Sequence, residues 1–283
     1  MQKFISSCLL LALTLVLTGC GGSASGGGKT INPTKVITTF AGNGTVGYSG
    51  DGALATSAEI NSPYCVSVDT AGNIYIADTL NSVIRKVDST GKISTVAGTG
   101  SQGYSGDSGP AISAQLYEPT RAVADHAGNV YIADYYNQRI RKIDASGTIT
   151  TLSGTGGVGY NGDGIPAASA ELNSPYRVAV DSAGNVYVAD SSNNRIRKID
   201  ATGTISTIAG IGFAGATGDG GPATSAQLNL PQDVAVDSAG SVYIADYENS
   251  KIRKVDASGN ISTIAGTGSM ASVVTAVQPF LLC

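Results

Sequence analysis

One four-residue pattern, repeated at a fixed interval, constrains this chain more than anything else in it. Tyr75-Ile76-Ala77-Asp78 returns as Tyr131-Ile132-Ala133-Asp134, Tyr187-Val188-Ala189-Asp190 and Tyr243-Ile244-Ala245-Asp246, each time 56 residues on. Asp51, Asp107, Asp163 and Asp219 keep the same interval. A tandem unit of this size buries its apolar face against neighbouring copies, so the fold has to be an array of like units. Each unit holds four short apolar and β-branched runs, which in unit two are 122–125, 129–134, 139–144 and 148–153. We denote them strands a, b, c and d. The a–b turn (Asp125-His126-Ala127-Gly128-Asn129) and the c–d turn (Asp144-Ala145-Ser146-Gly147) open on an Asp that can bond its own backbone and carry a Gly for positive φ. Glycine accounts for 38 of 283 residues without any triplet period, as turns at this density require. Four antiparallel strands per unit, in tandem, predict an all-β propeller of four complete four-stranded blades over residues 36–269. A parallel β-helix would need shorter coils.

The segment VAVDSAGNVYVADSSNNRIRKID (178–200) resembles the NHL repeat, and all four units share the pattern. The resemblance implies an NHL-type β-propeller but leaves activity open, because one propeller serves many functions. Some NHL-like and related propellers are lyases or lactonases that use a central metal, or His and acidic groups near the axis. The single histidine, His126, lies in an a–b turn, and a lone His cannot build a multi-His zinc site. No Gly-x-Ser-x-Gly elbow and no Cys/His pair is present. The reading is therefore non-catalytic, without cofactor or metal, with a lyase- or lactonase-like enzyme as the alternative. Eukaryotic NHL propellers can bind RNA through a basic face. Here 17 Lys and Arg stand against 21 Asp and Glu, a net charge of −4, so no nucleic-acid partner is expected.

Strand parity places the start of strand a, the b–c loop and the d-to-a connection on one face. Comparing the four units with one another, the a–b and c–d turns barely change. The opposite face does: Tyr64-Cys65, Thr120-Arg121, Tyr176-Arg177 and Gln232-Asp233 precede strand a, and Thr79-Leu80, Tyr135-Tyr136, Ser191-Ser192 and Tyr247-Glu248 fill the b–c loops. Tyr64, Arg121, Tyr135, Tyr136, Tyr176, Arg177, Asp233 and Tyr247 are thus the candidate ligand-binding residues, for a protein or glycan. Arg121 and Arg177 are expected to matter for the ligand and not for stability. By contrast Asp78, Asp134, Asp190 and Asp246, each followed three residues later by an Asn (Asn81, Asn137, Asn193, Asn249), read as scaffold that fixes the b–c loop. Arg139, Arg195 and Lys251 are the expected partners of these carboxylates, with Val83 breaking the pattern in unit one. In the connection 100–118, Asp107, Pro110 and the small residues before Leu116 suggest one helical turn capped by Asp107. One recurrent acid per connection is too few for Ca²⁺.

Residues 1–19 read as a lipoprotein signal peptide: Lys3, a short apolar run, then Leu17-Thr18-Gly19-Cys20. Cys20 is the expected lipidation site, with residues 20–35 as a Gly/Ser-rich tether. Acyl chains at about 0.8 kcal/mol per buried CH₂ would anchor the chain in the bacterial cell envelope. Gly21 instead of Asp favours the outer membrane or surface over the inner membrane. Two irregularities complete the reading. Ile37-Thr38-Thr39-Phe40-Ala41-Gly42 copies a strand d without a, b or c before it, an orphan N-terminal strand that leaves the ring open or truncated. Residues 270–283 match no unit. Permitted codons for them, read in a shifted frame, encode GFSGDGGPAISAL, close to residues 104–116, so a frameshifted remnant and a non-functional truncated product is a further alternative.

Overall fold

The computed structural model describes residues 37–268. Four antiparallel blades follow the chain in the order a-b-c-d. Blade one is Pro63–Val68, Ile74–Asp78, Val83–Val87 and Ile93–Ala97. Blade two is Pro119–Ala124, Val130–Asp134, Arg139–Ile143 and Thr148–Ser153. Blade three is Pro175–Val180, Val186–Asp190, Arg195–Ile199 and Thr204–Ala209. Blade four is Pro231–Val236, Val242–Asp246, Lys251–Val255 and Ile261–Ala265. The NHL-type propeller expected from the repeat is the fold observed. Strand a begins three residues earlier than the apolar run suggested. The Pro takes the first pairing position, where its missing N–H costs nothing, and a bulge follows it before Arg121. A short outer strand was not foreseen: Gly109–Pro110 and Ile165–Pro166, from the d-to-a connections, pair with strand d of their own blades.

The turns behave as their sequence dictates. In blade two Asp125 Oδ1 accepts the N–H groups of Ala127 and Asn129, both at 2.9 Å, and Asp144 Oδ1 accepts those of Ser146 and Thr148. Gly128 and Gly147 supply φ of 84° and 86°. Strand d ends on another obligatory glycine: Gly154 has φ 99°, and a Cβ there would run into the Gln138 carbonyl.

The core lies between blades. Tyr75, Ala77 and Ile84 of blade one pack on Ala122, Val130 and Ile132 of blade two, with Ala111, Ala114 and Leu116 of the connection sealing the junction. The blade two–three and three–four junctions repeat this arrangement. Packing of small residues in the connection is as expected, but the helical turn is a 3₁₀ turn (Ala111–Ser113) whose N-cap is Pro110, and no side chain caps it. The assignment of Asp107 as a cap is therefore corrected: Asp107 binds Arg141, as described below.

Among the described residues no blade precedes blade one. The copied segment at 37–42 holds the outer place: Gly42 N donates to Ala55 O and Asn43 N to Ala58 O, both 2.9 Å, as Gly98 N donates to Ala111 O and Thr99 N to Ala114 O. Without neighbouring strands it forms no ladder, and Ile37 is exposed. On blade four Ile252 is 39% exposed, whereas Ile84, Ile140 and Ile196 are fully buried. Among the described residues the array is thus open between blade four and blade one. The signal peptide, Cys20, the tether and the tail 270–283 lie outside the described residues.

Candidate recognition face

Beneath the face where the units diverge runs a girdle where they do not. Asp134 Oδ1 accepts the backbone N–H of Tyr117 at 2.8 Å, and its Oδ2 accepts Asn137 Nδ2 at 2.8 Å and Arg141 Nη1 at 3.4 Å. Asn137 Nδ2 also donates to Gly103 O at 2.7 Å. The second guanidinium nitrogen of Arg141 donates to Asp107 Oδ1 at 2.7 Å, and Asp107 also accepts from Thr151 and Tyr104. Asp78, Asp190 and Asp246 pair in the same way with Arg85, Arg197 and Arg253. All four Asp and all four Arg are fully buried. The scaffold role of Asp78, Asp134, Asp190 and Asp246 fits this arrangement, but their backbone bonds run to the d-to-a connection and not to the b–c loop.

The expected cation partners are corrected as well. Arg139, although directly opposite Asp134 in register, turns outward, donates to Asn137 O and Thr155 O, and stacks 3.6 Å over the Tyr104 ring. Arg195 does the same over Tyr160. Lys251 forms no ion pair among the described residues. The signal that identifies the true partner is in the sequence: Arg85, Arg141, Arg197 and Arg253 recur every 56 residues, while Val83, Arg139, Arg195 and Lys251 vary. Burial pushes the carboxyls of Asp134 and Asp190 up to about 6 against the hydrogen bonds and the arginine that hold them down. Asp107 is also raised by burial, but Thr151, Tyr104 and Arg141 outweigh that and leave it below the ordinary carboxylate value.

Above the girdle, the starts of the four a strands gather at the mouth of the axis. Arg121 Nη1 pairs with Asp233 Oδ1 at 3.1 Å, across two blades. Arg177 donates to Thr120 O and Tyr64 O, both at 3.2 Å. Thr120 Oγ1 donates to Tyr176 O. Of the candidate ligand groups, Arg121, Arg177 and Asp233 are therefore engaged in ties between blades, which corrects the expectation that the two arginines matter only for a ligand.

The tyrosines are arranged differently. The Tyr64 ring lies 6.4 Å from Tyr176, Tyr176 5.6 Å from Tyr135, and Tyr135 4.8 Å from Tyr136. Tyr136 in turn lies 4.8 Å from Tyr117. Edge-on and tilted contacts of this kind hold rings in fixed relative orientation. Burial, with Tyr64 nearby, pushes the Tyr176 hydroxyl up to about 12; burial and then Glu118 raise Tyr136. Tyr64 and Tyr136 keep exposed surfaces. Tyr247 is exposed on its own 3₁₀ turn and joins no ring contact among the described residues. Tyr117 and Glu118 are additions to the face. The same comparison of units could have found them, since Asn61, Asn173 and Asn229 stand where Tyr117 does, and Ser62, Ser174 and Leu230 where Glu118 does. His126 is exposed on the a–b turn. Among the described residues no three His, Cys, Asp or Glu side chains converge as a metal site, and no helix is long and apolar enough to cross a membrane.

The model of the teneurin NHL domain matches residues 41–105, 158–213 and 211–280, more than half of the chain. Teneurin-1 of Gallus gallus is 31% identical over 233 residues, which are 74% of this chain and 8% of that protein. Protein SUPPRESSOR OF QUENCHING 1, chloroplastic, of Arabidopsis thaliana is 30% identical over 78% of this chain and 22% of its own length. The chain thus spans a small part of these relatives. Among solved structures, an auxiliary nutrient binding protein from Bacteroides ovatus superposes with a TM-score of 0.52 at 15% identity, covering 74% of this chain and 48% of that one. That likeness bears on the fold alone. The repeat, the four blades and the family match agree: the chain belongs to the teneurin NHL domain family of NHL-repeat β-propellers.

Proposed function

We propose that the chain is a recognition module of the bacterial cell envelope, held to a membrane through lipid on Cys20, that takes a protein or glycan ligand on the tyrosine-lined mouth of its propeller and catalyses no reaction. The single observation that carries the reading is the cluster Tyr64-Tyr176-Tyr135-Tyr136-Tyr117, built where the otherwise repetitive units diverge. Tyrosine offers a large, stiff, amphipathic surface at little entropic cost, and an exposed ring face packs against the C–H face of a sugar or an apolar side chain while its hydroxyl hydrogen-bonds. Such anchors dominate binding energy where they are pre-organised. The anchor rests on the Leu17-Thr18-Gly19-Cys20 motif.

Two experiments test this reading. Mass spectrometry of the mature N-terminus should find acylated Cys20; an unmodified terminus beyond Cys20 would remove the anchor. Screening the detergent-solubilised chain against envelope glycans and envelope proteins should give a ligand whose affinity falls about tenfold, about 1.4 kcal/mol, in Tyr136→Ala or Tyr64→Ala. A ligand bound equally well by both variants would reject this face.

A further inference from the structure

Three junctions inside the chain are built alike. The trailing face of one blade (Tyr187, Ala189, Ile196 and Ala209 in blade three) meets the leading face of the next (Val234, Val242, Ile244 and Val255 in blade four). Each half of this junction occurs once more, at opposite ends of the array. Blade four presents the trailing residues Tyr243, Ala245, Ile252 and Ala265, with Ile252 39% and Ile264 50% exposed. Blade one presents the leading face, on which Val68 is 63% exposed, while Ala124, Val180 and Val236 at the same place pack into their junctions.

We propose that these two faces are the halves of one interface, and that the partner of the blade-four face is the blade-one face of a second copy of this chain. The surfaces are complementary because the chain packs the same pair together three times. The contact is head-to-tail, so it leaves a free face at each end and builds rings if the rotation closes and filaments if it does not. The outer place on blade one is held by residues 37–44 (ITTFAGNG), a near copy of residues 261–268 (ISTIAGTG) in strand d of blade four. Docking exchanges one for the other. Gly266 and Thr267 of one copy take over the Ala55 and Ala58 carbonyls that Gly42 and Asn43 of the next copy occupy when it is alone. Two hydrogen bonds are lost and two regained, so the gain is the apolar surface that Val68, Ile252 and Ile264 still expose, removed from water.

Sedimentation velocity of the full chain in detergent tests this. The wild-type chain should form species larger than a monomer whose share grows with concentration. Ile252→Glu blocks the tail and Val68→Glu the head. Both positions are exposed, so both variants should melt with the wild-type chain and sediment as monomers when alone. An equimolar mixture should form one-to-one dimers and nothing larger, because one open tail meets one open head. Val68→Glu associating alone would mean a tail-to-tail contact and would overturn the proposal. So would a wild-type chain that stays monomeric throughout. A monomeric chain whose Tm falls in Ile252→Glu would put its own segment 269–283 on the blade-four face, and would overturn it equally.

Discussion

The girdle and the mouth of this propeller are a few residues apart and follow opposite rules. In the girdle the same Asp, Asn and Arg stand in every blade, fully or partly buried, and the Asp carboxylates and Asn amides bond the neighbouring connection. At the mouth each blade brings something different: Arg121, Arg177 and Asp233 tie one blade to another, and Tyr64, Tyr176, Tyr135, Tyr136 and Tyr117 stack into an aromatic surface. Repetition therefore marks construction, since a bond that every blade needs must be made four times. Divergence marks freedom from that need, but not solvent exposure: Arg121 and Asp233 diverged and found each other.

The largest effect should come from breaking the girdle. Arg141→Ala leaves Asp134 buried without its cation and removes the bond to Asp107, and loss of one partner of a buried pair costs about 3–5 kcal/mol. Thermal unfolding should show it as a large drop in Tm; a drop of a degree or less would mean that the girdle is not structural. Next come the apolar junctions. Ile196→Ala, inside a junction, should cost about 2–5 kcal/mol, whereas Ile252→Ala, on the open flank, should cost less than about 1 kcal/mol in the isolated chain. Equal losses in denaturant unfolding would show that blade four is covered. At the mouth, Arg121→Ala should cost about 1 kcal/mol or less, because its partner Asp233 is half-exposed and screened.

The girdle also sets a small pH dependence. Asp134 and Asp190 titrate near 6 in the folded chain against an ordinary 3.8. Between those values the folded chain holds the protons more tightly than the unfolded chain, so stability from this source rises as the pH falls through about 6. Asp107, Asp125, Asp181 and Asp219 lie below 3.8; their contribution is present above that value and is lost as the pH falls through their lower folded values. Tm should therefore hold or rise slightly from about pH 7 to about pH 5 and fall below about pH 4. A steady fall from pH 7 downward would contradict the assignment of buried, raised carboxyls.

Much of this was legible in the sequence because a repeat fixes spacing, and spacing fixes strands. The 56-residue interval, the Asp–Gly turns and the open end of the array follow from it directly. The partner of Asp134 did not, because sequence proximity and register both favour Arg139. Arg141, opposite Ile132, reaches both Asp134 and Asp107, whereas Arg139 is held outward over the Tyr104 ring by its bonds to Asn137 O and Thr155 O. The Arg121–Asp233 pair was beyond reach for a different reason: the two residues are two units apart, and only the curvature of the array about its axis brings them together.

The sharpest test uses two adjacent residues of one loop. Asn137 is repeated in every blade and its side chain bonds Asp134 and Gly103, whereas Tyr136 is found in blade two alone and its hydroxyl forms no hydrogen bond among the described residues. With a ligand from the envelope screen in hand, Tm and affinity are measured side by side for Asn137→Ala and Tyr136→Ala. The account predicts that Asn137→Ala lowers stability by about 1–3 kcal/mol and leaves the affinity of the folded chain unchanged. Tyr136→Ala should keep the wild-type Tm and lose about tenfold in affinity. The reverse pattern, with Tyr136→Ala destabilising and binding normally, would contradict the division between frame and recognition surface.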